Sequence, residues 1–221
     1  AEKKAEHSGE VPEVVFSHVG LTYAGAGEES LTDIDFTVKK GETIGIIGGT
    51  GSGKSSVVNL IPRFYDATKG SVQIEGKDVR EYSLEELREK IGMVLQKAVL
   101  FKGTIRENML WGNENATDED IMQALEVAQA KEFVDKKEGG LDFEIEQGGK
   151  NLSGGQRQRM TIARAVVKKP DILILDDSAS AFCDRCKTSY GNPRYGEQSN
   201  RIYRIAESSI HYVCRQDYCV R

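Results

Sequence analysis

Short apolar segments alternate along the chain with longer segments that have the periodicity of a helix. Residues 33–38 alternate between apolar and polar side chains, as a half-buried strand does, and residues 172–175 form a continuous apolar run of strand length. Predicted strands cover residues 14–23, 33–38, 43–47, 71–74, 91–95 and 171–175. Predicted helices cover residues 55–64, 84–90, most of 105–134, and 154–167. Strands that alternate with helices in this order indicate an α/β domain with a largely parallel sheet.

Polar residues at defined positions predict where several of these helices begin and end. Ser83 lies three residues before Glu86, which is the sequence pattern of a capping box. Thr117 and Ser153 each precede a segment of helical periodicity and are predicted to cap the helices that follow. Pro170 is predicted to end the segment before the last buried strand.

Composition narrows the classes of protein to consider. The chain has 221 residues, enough for one sizeable domain, and a net charge of −5, which disfavours a nucleic-acid-binding protein. No apolar run reaches the roughly 18 residues of a membrane span, and residues 1–10 lack the apolar stretch of a signal peptide. We therefore expect a polar linker at residues 1–13 and a domain that is soluble in isolation. Another segment or subunit would have to hold it at a membrane.

A glycine-rich loop follows the predicted strand 43–47. The loop fits the pattern G-x-x-x-x-G-K-[ST], with Gly48, Gly49, Thr50, Gly51, Ser52, Gly53, Lys54 and Ser55. Its glycines allow backbone N–H groups to turn towards phosphate oxygens, and the following helix directs its positive end to the same anion. Lys54 adds a charge near the β- and γ-phosphates, and the Ser55 hydroxyl suits Mg²⁺. The sequence predicts an ATP and Mg²⁺ site from Gly48 to Ser56, although a glycine-rich turn can match the pattern by chance.

Two carboxylates follow the apolar run 172–175. Ligands of open α/β sheets bind at the carboxyl ends of the strands, where these side chains emerge. We expect Asp176 to hold Mg²⁺ through water and Asp177 to face the attacking water. The alternative interpretation is a solvated acidic turn after a buried strand.

The segment LSGGQ at residues 152–156 opens the predicted helix 154–167. Ser153 is expected to cap the helix with a free hydroxyl, and Gly154 and Gly155 expose backbone N–H groups. These features form a second phosphate cradle. One chain needs one cradle per nucleotide, so the second suggests that ATP is shared between two chains. A plain helix cap is the alternative.

In this order, the segments resemble the ATP-binding-cassette (ABC) family over about residues 14–182. The glycine-rich loop is similar to the family's Walker A loop, LSGGQ to its signature, and ILILDD at residues 172–177 to its Walker B strand. Gln96 matches the Q-loop glutamine, and Tyr23 lies where the family stacks an aromatic ring on adenine. Residues 146–149 resemble the exporter X-loop, and NLIPRFYDATKG and LFKGTIRENM are typical of exporter-type members.

The resemblance implies a fold and partners. The fold is a P-loop NTPase (RecA-like) core with a mostly parallel sheet, an N-terminal antiparallel β subdomain, and a helical subdomain at about residues 97–167 that carries the signature. Two such domains pair head to tail, so that Ser153, Gly154, Gly155 and Gln156 contact the partner's ATP. Transmembrane domains are the other implied partners, which places the full transporter's domain at the cytoplasmic face of the cell membrane.

The resemblance also implies an activity and its residues. The domain binds and hydrolyses ATP and thereby powers a membrane exporter. Lys54, Gln96 and Asp177 are the implied catalytic residues, and Ser55, Gln96 and Asp176 are the implied Mg²⁺ ligands. Gln96 would also link the γ-phosphate and Mg²⁺ to the membrane helices.

One site residue departs from the family pattern. The residue after the Walker B aspartate is usually Glu, whereas here it is Asp177. Asp is one methylene shorter, which retracts the carboxylate by about 1.5 Å, and a misplacement of about 1 Å can lower a rate roughly 100-fold. The substitution resembles the degenerate site of heterodimeric exporters. We therefore expect a heterodimer, weak hydrolysis by this chain alone, and an intact signature that completes the partner's site.

The sequence after Phe182 departs further, and all four cysteines lie there. A one-base shift applied to suitable codons for residues 182–193, and likewise for residues 200–221, yields segments that resemble the family's missing helix, strand and switch region. We therefore expect residues 183–221 to be a frameshift product and the sheet to lack the strands that normally follow Walker B. One alternative is a zinc site formed by Cys183, Cys186, Cys214 and Cys219. A natural ending of another kind is the second.

Two other functions compete with the exporter ATPase. DNA-repair and chromosome-organising ATPases share these motifs, but they insert a long coiled coil between Walker A and the signature, and no sustained heptads occur here. A regulatory ATP-binding module with little turnover is the second rival, and Asp177 and the unusual tail favour it.

Overall fold

The computed structural model describes residues 11, 13–49, 51–176, 201–206 and 218–219, with Ile47 and the last two ranges described by their backbone alone. These residues form two compact units. The first contains the described residues up to 42 together with 55–87, and the second contains 43–54 and the described residues from 88 onwards. Within the described ranges, no helix combines the length and hydropathy that a membrane crossing requires.

The elements follow one another in an alternating order. The strands are β1 (Val14–Leu21), β2 (Leu31–Val38), β3 (Gly45–Ile47), β4 (Lys69–Ile74), β5 (Lys77–Asp78), β6 (Ile91–Val94), β7 (Gly103–Thr104), β8 (Glu144–Ile145), β9 (Ile172–Leu175), β10 (Arg201–Ala206) and β11 (Tyr218–Cys219). The α-helices are α1 (Lys54–Leu60), α2 (Leu84–Glu89), α3 (Ile105–Leu110), α4 (Asp118–Val127), α5 (Lys131–Asp135) and α6 (Gly154–Val166). All six predicted strands and all predicted helical segments are present, with ends that differ by a few residues.

The first unit is built on an antiparallel sheet in the order β2-β1-β4-β5. Its core includes Phe16 and Phe36, which are opposite each other in the β1–β2 pairing and stack with ring centroids 4.4 Å apart. The β4–β5 hairpin turns through Glu75 and Gly76, both at positive φ (51° and 79°), as the two central residues of a type I′ turn are. This sheet is the antiparallel β subdomain expected from the family resemblance.

The second unit contains a parallel sheet in the order β11-β3-β10-β9-β6. The strand β9 is buried at all four positions, which explains why its sequence is a continuous apolar run rather than an alternating one. The expectation that the sheet would lack strands after β9 is wrong, because β10 pairs with both β9 and β3. Residues 201–206 contain two isoleucines and a tyrosine, which favour strands, and their backbone satisfies hydrogen bonds that β3 and β9 would otherwise leave unpaired.

Helices α3 to α6 pack with β6, β8 and β9 around one apolar core in the second unit. Ile105, Met109 and Leu125 are fully buried there. The predicted helical stretch 105–134 is divided into three helices, α3, α4 and α5. Gln129, with φ of 54°, interrupts the helical backbone between α4 and α5. The remaining predictions for the cysteine tail lie outside the described residues, since Cys183, Cys186 and Cys214 are not among them.

Buried Asn108 fixes the loop that precedes α3. Its amide nitrogen donates to the carbonyl oxygens of Phe101 (2.9 Å) and Thr104 (3.0 Å), and its amide oxygen accepts from the Phe101 N–H (3.0 Å). Because Asn108 is 1% exposed, these three bonds compensate for the burial of a polar side chain. The loop between residues 101 and 104 is therefore held in one conformation.

Candidate functional site

The glycine-rich loop lies between β3 and the first turn of α1. The Lys54 ammonium folds back over the loop and donates to the carbonyl oxygens of Gly48 (2.7 Å) and Gly49 (2.9 Å). Gly51 and Gly53 have φ of 82° and 87°, a region in which glycine is strongly favoured. Thr50 lies outside the described residues.

The loop has room and unused polar groups for a phosphate chain. A Cβ atom built on Gly49 or Gly51 meets no heavy atom within 4 Å, so the space beside these glycines is open. The Ser52 hydroxyl is buried and has no hydrogen-bond partner among the described residues. A buried hydroxyl without a partner is unfavourable, and a phosphate oxygen could accept its proton. The residues present thus fit the phosphates of a nucleotide.

The predicted Mg²⁺ ligands are oxygen-bearing residues at element ends. Asp176 directly follows β9 and is 9% exposed, and its backbone N–H donates to the Val94 carbonyl oxygen at 2.9 Å. Gln96 follows β6, which is the parallel neighbour of β9. Gln96 and Asp176 therefore both lie beyond the carboxyl ends of their strands, on the same side of the sheet. Ser55 is the second residue of α1. Asp177 lies outside the described residues.

Tyr23 lies in the first unit, two residues after the end of β1. Its hydroxyl donates to Ser56 Oγ at 2.8 Å, and Ser56 directly follows Ser55 at the end of the glycine-rich loop. The ring of Tyr65 meets the Tyr23 ring edge-on, with centroids 4.9 Å apart and an interplanar angle of 85°. The structure therefore links the predicted adenine-stacking residue to the helix that begins at the phosphate loop.

The signature segment begins α6 with a capping box. Ser153 Oγ accepts from the Gln156 N–H (3.2 Å), and Gln156 Oε1 accepts from the Ser153 N–H (2.9 Å). The Ser153 oxygen thus caps the helix as predicted, and the hydroxyl proton is not used in the cap. Ser153, Gly154 and Gly155 are all exposed.

A cationic cleft of about 590 Å³ lies beside the signature in the second unit. Lys97, Lys150 and Arg157 line it together with Gln96 and Gly154, and none of its lining residues in the described part of the chain is acidic. Arg157 donates to the Leu152 carbonyl oxygen at 2.9 Å, and none of the three cations forms an ion pair with a described residue. Sequence reasoning missed these cations because they belong to no motif and come together only when β6 and α6 pack in one unit.

An apolar patch, defined here as Leu95, Val99, Phe101 and Trp111, is exposed in the same unit. Trp111 is 71% exposed and its ring lies 5.1 Å from that of Phe101. The Arg164 guanidinium lies over the Phe101 ring and donates to the Val99 carbonyl oxygen at 2.6 Å. Sequence reasoning also missed this patch, since the apolar residues between positions 95 and 111 are equally compatible with a buried core.

Comparison with known proteins identifies the family. Residues 31–180 match the profile of the family described as ABC transporter. The ABC transporter ATP-binding protein YfiB of Bacillus subtilis is 48% identical over 169 residues, which are 76% of this chain and 30% of that protein. The ATP-dependent lipid A-core flippase of Methylobacillus flagellatus is 45% identical over 170 residues, 76% of this chain and 29% of that protein.

A solved structure gives the same result. A bacterial Atm1-family ABC exporter with ATP bound matches with a TM-score of 0.78 and 34% identity, over 88% of this chain and 34% of that one. This chain thus spans about a third or less of the length of these relatives. Because the matched range 31–180 contains the phosphate loop, the signature helix and the Walker B strand in the family's order, the chain belongs to the ABC transporter family as its ATP-binding ATPase domain.

Proposed function

We propose that this chain binds and hydrolyses Mg·ATP and so powers an ABC exporter at the cytoplasmic face of a cell membrane. The observation that carries the proposal is the phosphate loop, where Lys54 is positioned by two loop carbonyls and the Ser52 hydroxyl is buried without a partner among the described residues. Similarity to the exporter-type relatives supports the transport role.

Different residues of the site are proposed to bind the phosphates and the Mg²⁺ ion. Backbone N–H groups of the loop glycines would donate to the phosphates, and Lys54 would supply its charge near the β- and γ-phosphates. Ser55, Gln96 and Asp176, the last through water, are the residues that would hold Mg²⁺, since hydroxyl, amide and carboxylate oxygens are the ligands that this ion prefers. When bound, Mg²⁺ neutralises charge on the phosphate oxygens.

The signature segment is proposed to complete the ATP site of a second nucleotide-binding domain in a head-to-tail dimer. Ser153, Gly154 and Gly155 are exposed, and the capping box keeps the Ser153 proton available as a donor. The Gln156 side chain supports this arrangement of Ser153, because its Oε1 accepts from the Ser153 N–H. A heterodimer fits best, because Asp177 weakens this chain's own hydrolytic site while its signature is intact.

The apolar patch and the adjoining cationic cleft are proposed to contact the transmembrane domains of the exporter. Phe101 and Trp111 are large exposed apolar side chains, and clusters of this kind mark interaction surfaces. Gln96 lines the cleft and belongs to the proposed Mg²⁺ site, so one residue borders both surfaces. This arrangement supports Gln96 as the link between nucleotide and membrane helices.

A regulatory ATP-binding module with little turnover is the second candidate. The presence of Asp177 in place of the usual Glu favours it, because a carboxylate retracted by about 1.5 Å orients water poorly. ATP affinity and phosphate release, measured on the same preparation, separate the two functions. Tight binding without phosphate release, even with a partner domain that carries Glu, would favour the regulatory module.

The binding site itself is tested at Lys54. Lys54→Ala should remove most of the affinity for a fluorescent ATP analogue, because it deletes the main cation near the phosphates. Lys40→Ala, which removes an exposed lysine before the loop, should leave the affinity unchanged. Unchanged binding by a folded Lys54→Ala variant would refute the assigned site.

A further inference from the structure

We propose that a pocket beside the apolar patch receives an acidic side chain of the exporter's transmembrane domain, with Arg164 as its main anchor. The proposal rests on the proposed function, in which the patch contacts the transmembrane domains. It adds the chemistry of the partner, which is a segment that presents a carboxylate between apolar side chains. The pocket lies within the second unit and is called the Arg164 pocket below.

The Arg164 pocket combines three cations with an apolar wall. Its volume is about 280 Å³, and Lys97, Arg164 and Lys168 line it together with Val99 and Trp111. Among the described residues that line it, none is acidic, and the three cations form no ion pair within the described part of the chain. The chain as a whole has a net charge of −5, so this positive charge is a local feature. Its electrostatic complement is an anion.

Arg164 is held in position but has no counter-ion. Its Nη2 donates to the Val99 carbonyl oxygen at 2.6 Å, and its guanidinium lies over the Phe101 ring, 5.5 Å from the ring centroid. Its Nη1 is buried and has no hydrogen-bond partner among the described residues. Burial lowers the pKa of Arg164. Because an unpaired cation is unfavourable when it is removed from water, a carboxylate from a partner would stabilise Arg164.

Lys168 is a second, partly buried cation of the pocket. Its ammonium donates to the Arg88 carbonyl oxygen at 2.5 Å and lies 3.5 Å from the Ile91 carbonyl oxygen, which leaves one of its three N–H groups for a ligand. Burial lowers the pKa of Lys168, and the charge of Glu89, which does not line the pocket, opposes this change. Glu89 thus compensates Lys168 in part, so Arg164 is the cation that gains most from an anion.

The size and position of the pocket favour a protein side chain over a free small molecule. Sites for drug-sized ligands usually enclose about 300–1,000 Å³, whereas this pocket has only about 280 Å³. Leu95, Val99 and Trp111 belong both to its lining and to the exposed apolar patch. A carboxylate in the pocket would therefore have apolar surface directly beside it. A segment with one acidic residue between apolar residues matches both parts.

The test uses Trp111 as the reporter, because it is the only tryptophan of the 221-residue chain. The probes are the capped peptide Ac-Ser-Leu-Glu-Phe-Ser-NH₂ and the same peptide with Gln in place of Glu. Binding should shift the Trp111 emission to shorter wavelength, because the ring, which is 71% exposed, becomes covered. The Glu peptide should bind about tenfold more tightly than the Gln peptide, as expected for one hydrogen bond between charged groups.

The ratio of the two affinities identifies the anchor. Arg164→Gln should remove most of the preference for the Glu peptide, and Lys168→Gln should reduce it by less. Lys102→Gln, the matched control, removes an exposed lysine of the same unit that does not line the pocket and should keep the full preference. If circular dichroism shows that Arg164→Gln does not fold, Lys168→Gln decides the test, and an unchanged preference in that variant overturns the proposal.

The remaining outcomes separate this proposal from the proposed function. Equal affinities of the unchanged chain for the two peptides would overturn the acidic partner and leave the patch as an apolar docking surface. No binding of either peptide at millimolar concentration would reject docking on this face as well. Tighter binding of hydrocinnamate than of the Glu peptide would overturn the proposal and assign the pocket to small organic acids. ATP binding at Lys54 is measured separately and does not depend on any of these results.

Discussion

At the residue scale, Gly112 occupies a position where a side chain does not fit. A Cβ atom there would lie 2.1 Å from the Arg164 carbonyl oxygen and 2.9 Å from Val167 Cγ1, so the backbone of α6 or of the Trp111–Gly112 turn would have to move. Because Gly112 does not have positive φ, the close approach of α6 is the reason that glycine is needed there. Sequence alone cannot distinguish such a position from an ordinary loop glycine.

Gly112→Ala should lower the free energy of unfolding by about 1–3 kcal/mol, the usual cost of overpacking. Urea denaturation followed by circular dichroism measures the change. Gly27→Ala is the matched control, since a Cβ atom there meets no heavy atom within 4 Å and the residue does not have positive φ. Equal unfolding midpoints for the two variants would show that the contact between Gly112 and α6 is absent.

His18 is the described residue whose titration gives a pH dependence near neutrality. A hydrogen bond to Asp33, with Nδ1 and Oδ1 2.7 Å apart, and the charges of Asp33 and Asp35 raise the pKa of His18 above 6.5. A raised pKa stabilises the folded state fully below about pH 6.5, and this stabilisation is lost as pH rises through the folded-state pKa. The effect should be small, because the side chain is exposed.

An NMR titration of the His18 ring should give a pKa above 6.5 in the folded chain. Asp33→Asn should lower that pKa more than Asp35→Asn does, because Asp33 provides the hydrogen bond and the larger charge effect. In His18→Gln, the unfolding midpoint should depend less on pH around neutrality than it does in the unchanged chain. A His18 pKa at or below 6.5 would contradict the Asp33 contact.

At the scale of elements, capping boxes fix where α3, α4 and α6 begin. Thr117 Oγ1 accepts from the Asp120 N–H (3.2 Å), and Asp120 Oδ2 accepts from the Thr117 N–H (3.0 Å). Lys169, beyond the end of α6, bonds the other oxygen of Asp120 at 2.6 Å, and this bond is the largest cause of the lowered pKa of Asp120. The cap thus joins the start of α4 to the end of α6.

Thr117→Ala should destabilise the chain by about 0.5–2 kcal/mol, the measured range for loss of a helix cap. Thr117→Ser keeps the hydroxyl and should cost much less. Both values come from urea unfolding midpoints. If the serine variant is destabilised as much as the alanine variant, the threonine contributes through its methyl group and the capping assignment is wrong.

At the scale of the whole molecule, the proposed function requires a second chain. The phosphate loop and the signature are each proposed to present groups to a nucleotide, but the carboxylate expected to orient the attacking water is the shorter Asp177. The chain alone should therefore bind Mg·ATP and turn it over far more slowly than a relative with Glu there, by about 100-fold for a misplacement of this size.

Pairing the chain with a nucleotide-binding domain that carries Glu should give hydrolysis that depends on this chain's signature. Ser153→Arg should abolish the hydrolysis gained by pairing, because arginine removes the hydroxyl donor and places a larger, charged side chain at the start of α6. Lys136→Ala, on the exposed surface of the same unit, should not. Steady-state phosphate release measures both. Several turnovers per second by the chain alone would contradict the account of Asp177.

The family and its motifs could be predicted from sequence, because their signals are local. A phosphate loop needs glycines and a lysine at fixed spacing, and a capping box needs two polar residues three positions apart, so Lys54, Ser83, Thr117 and Ser153 were recognisable without coordinates. The continuous apolar run of β9 likewise predicted a buried parallel strand. The roles of Asp176, Asp177 and Gln96 at the site stay predictions.

Tertiary structure decided the features that depend on residues distant in the chain. The hydrogen bond from Tyr23 to Ser56, the cations that gather around Gln96, and the need for glycine at position 112 arise from packing that no local pattern encodes. The same holds for β10, since a tail that departs from the family pattern still supplies backbone hydrogen bonds between β3 and β9. Local spacing determines which groups can bind a nucleotide, whereas packing determines which other groups hold them in place.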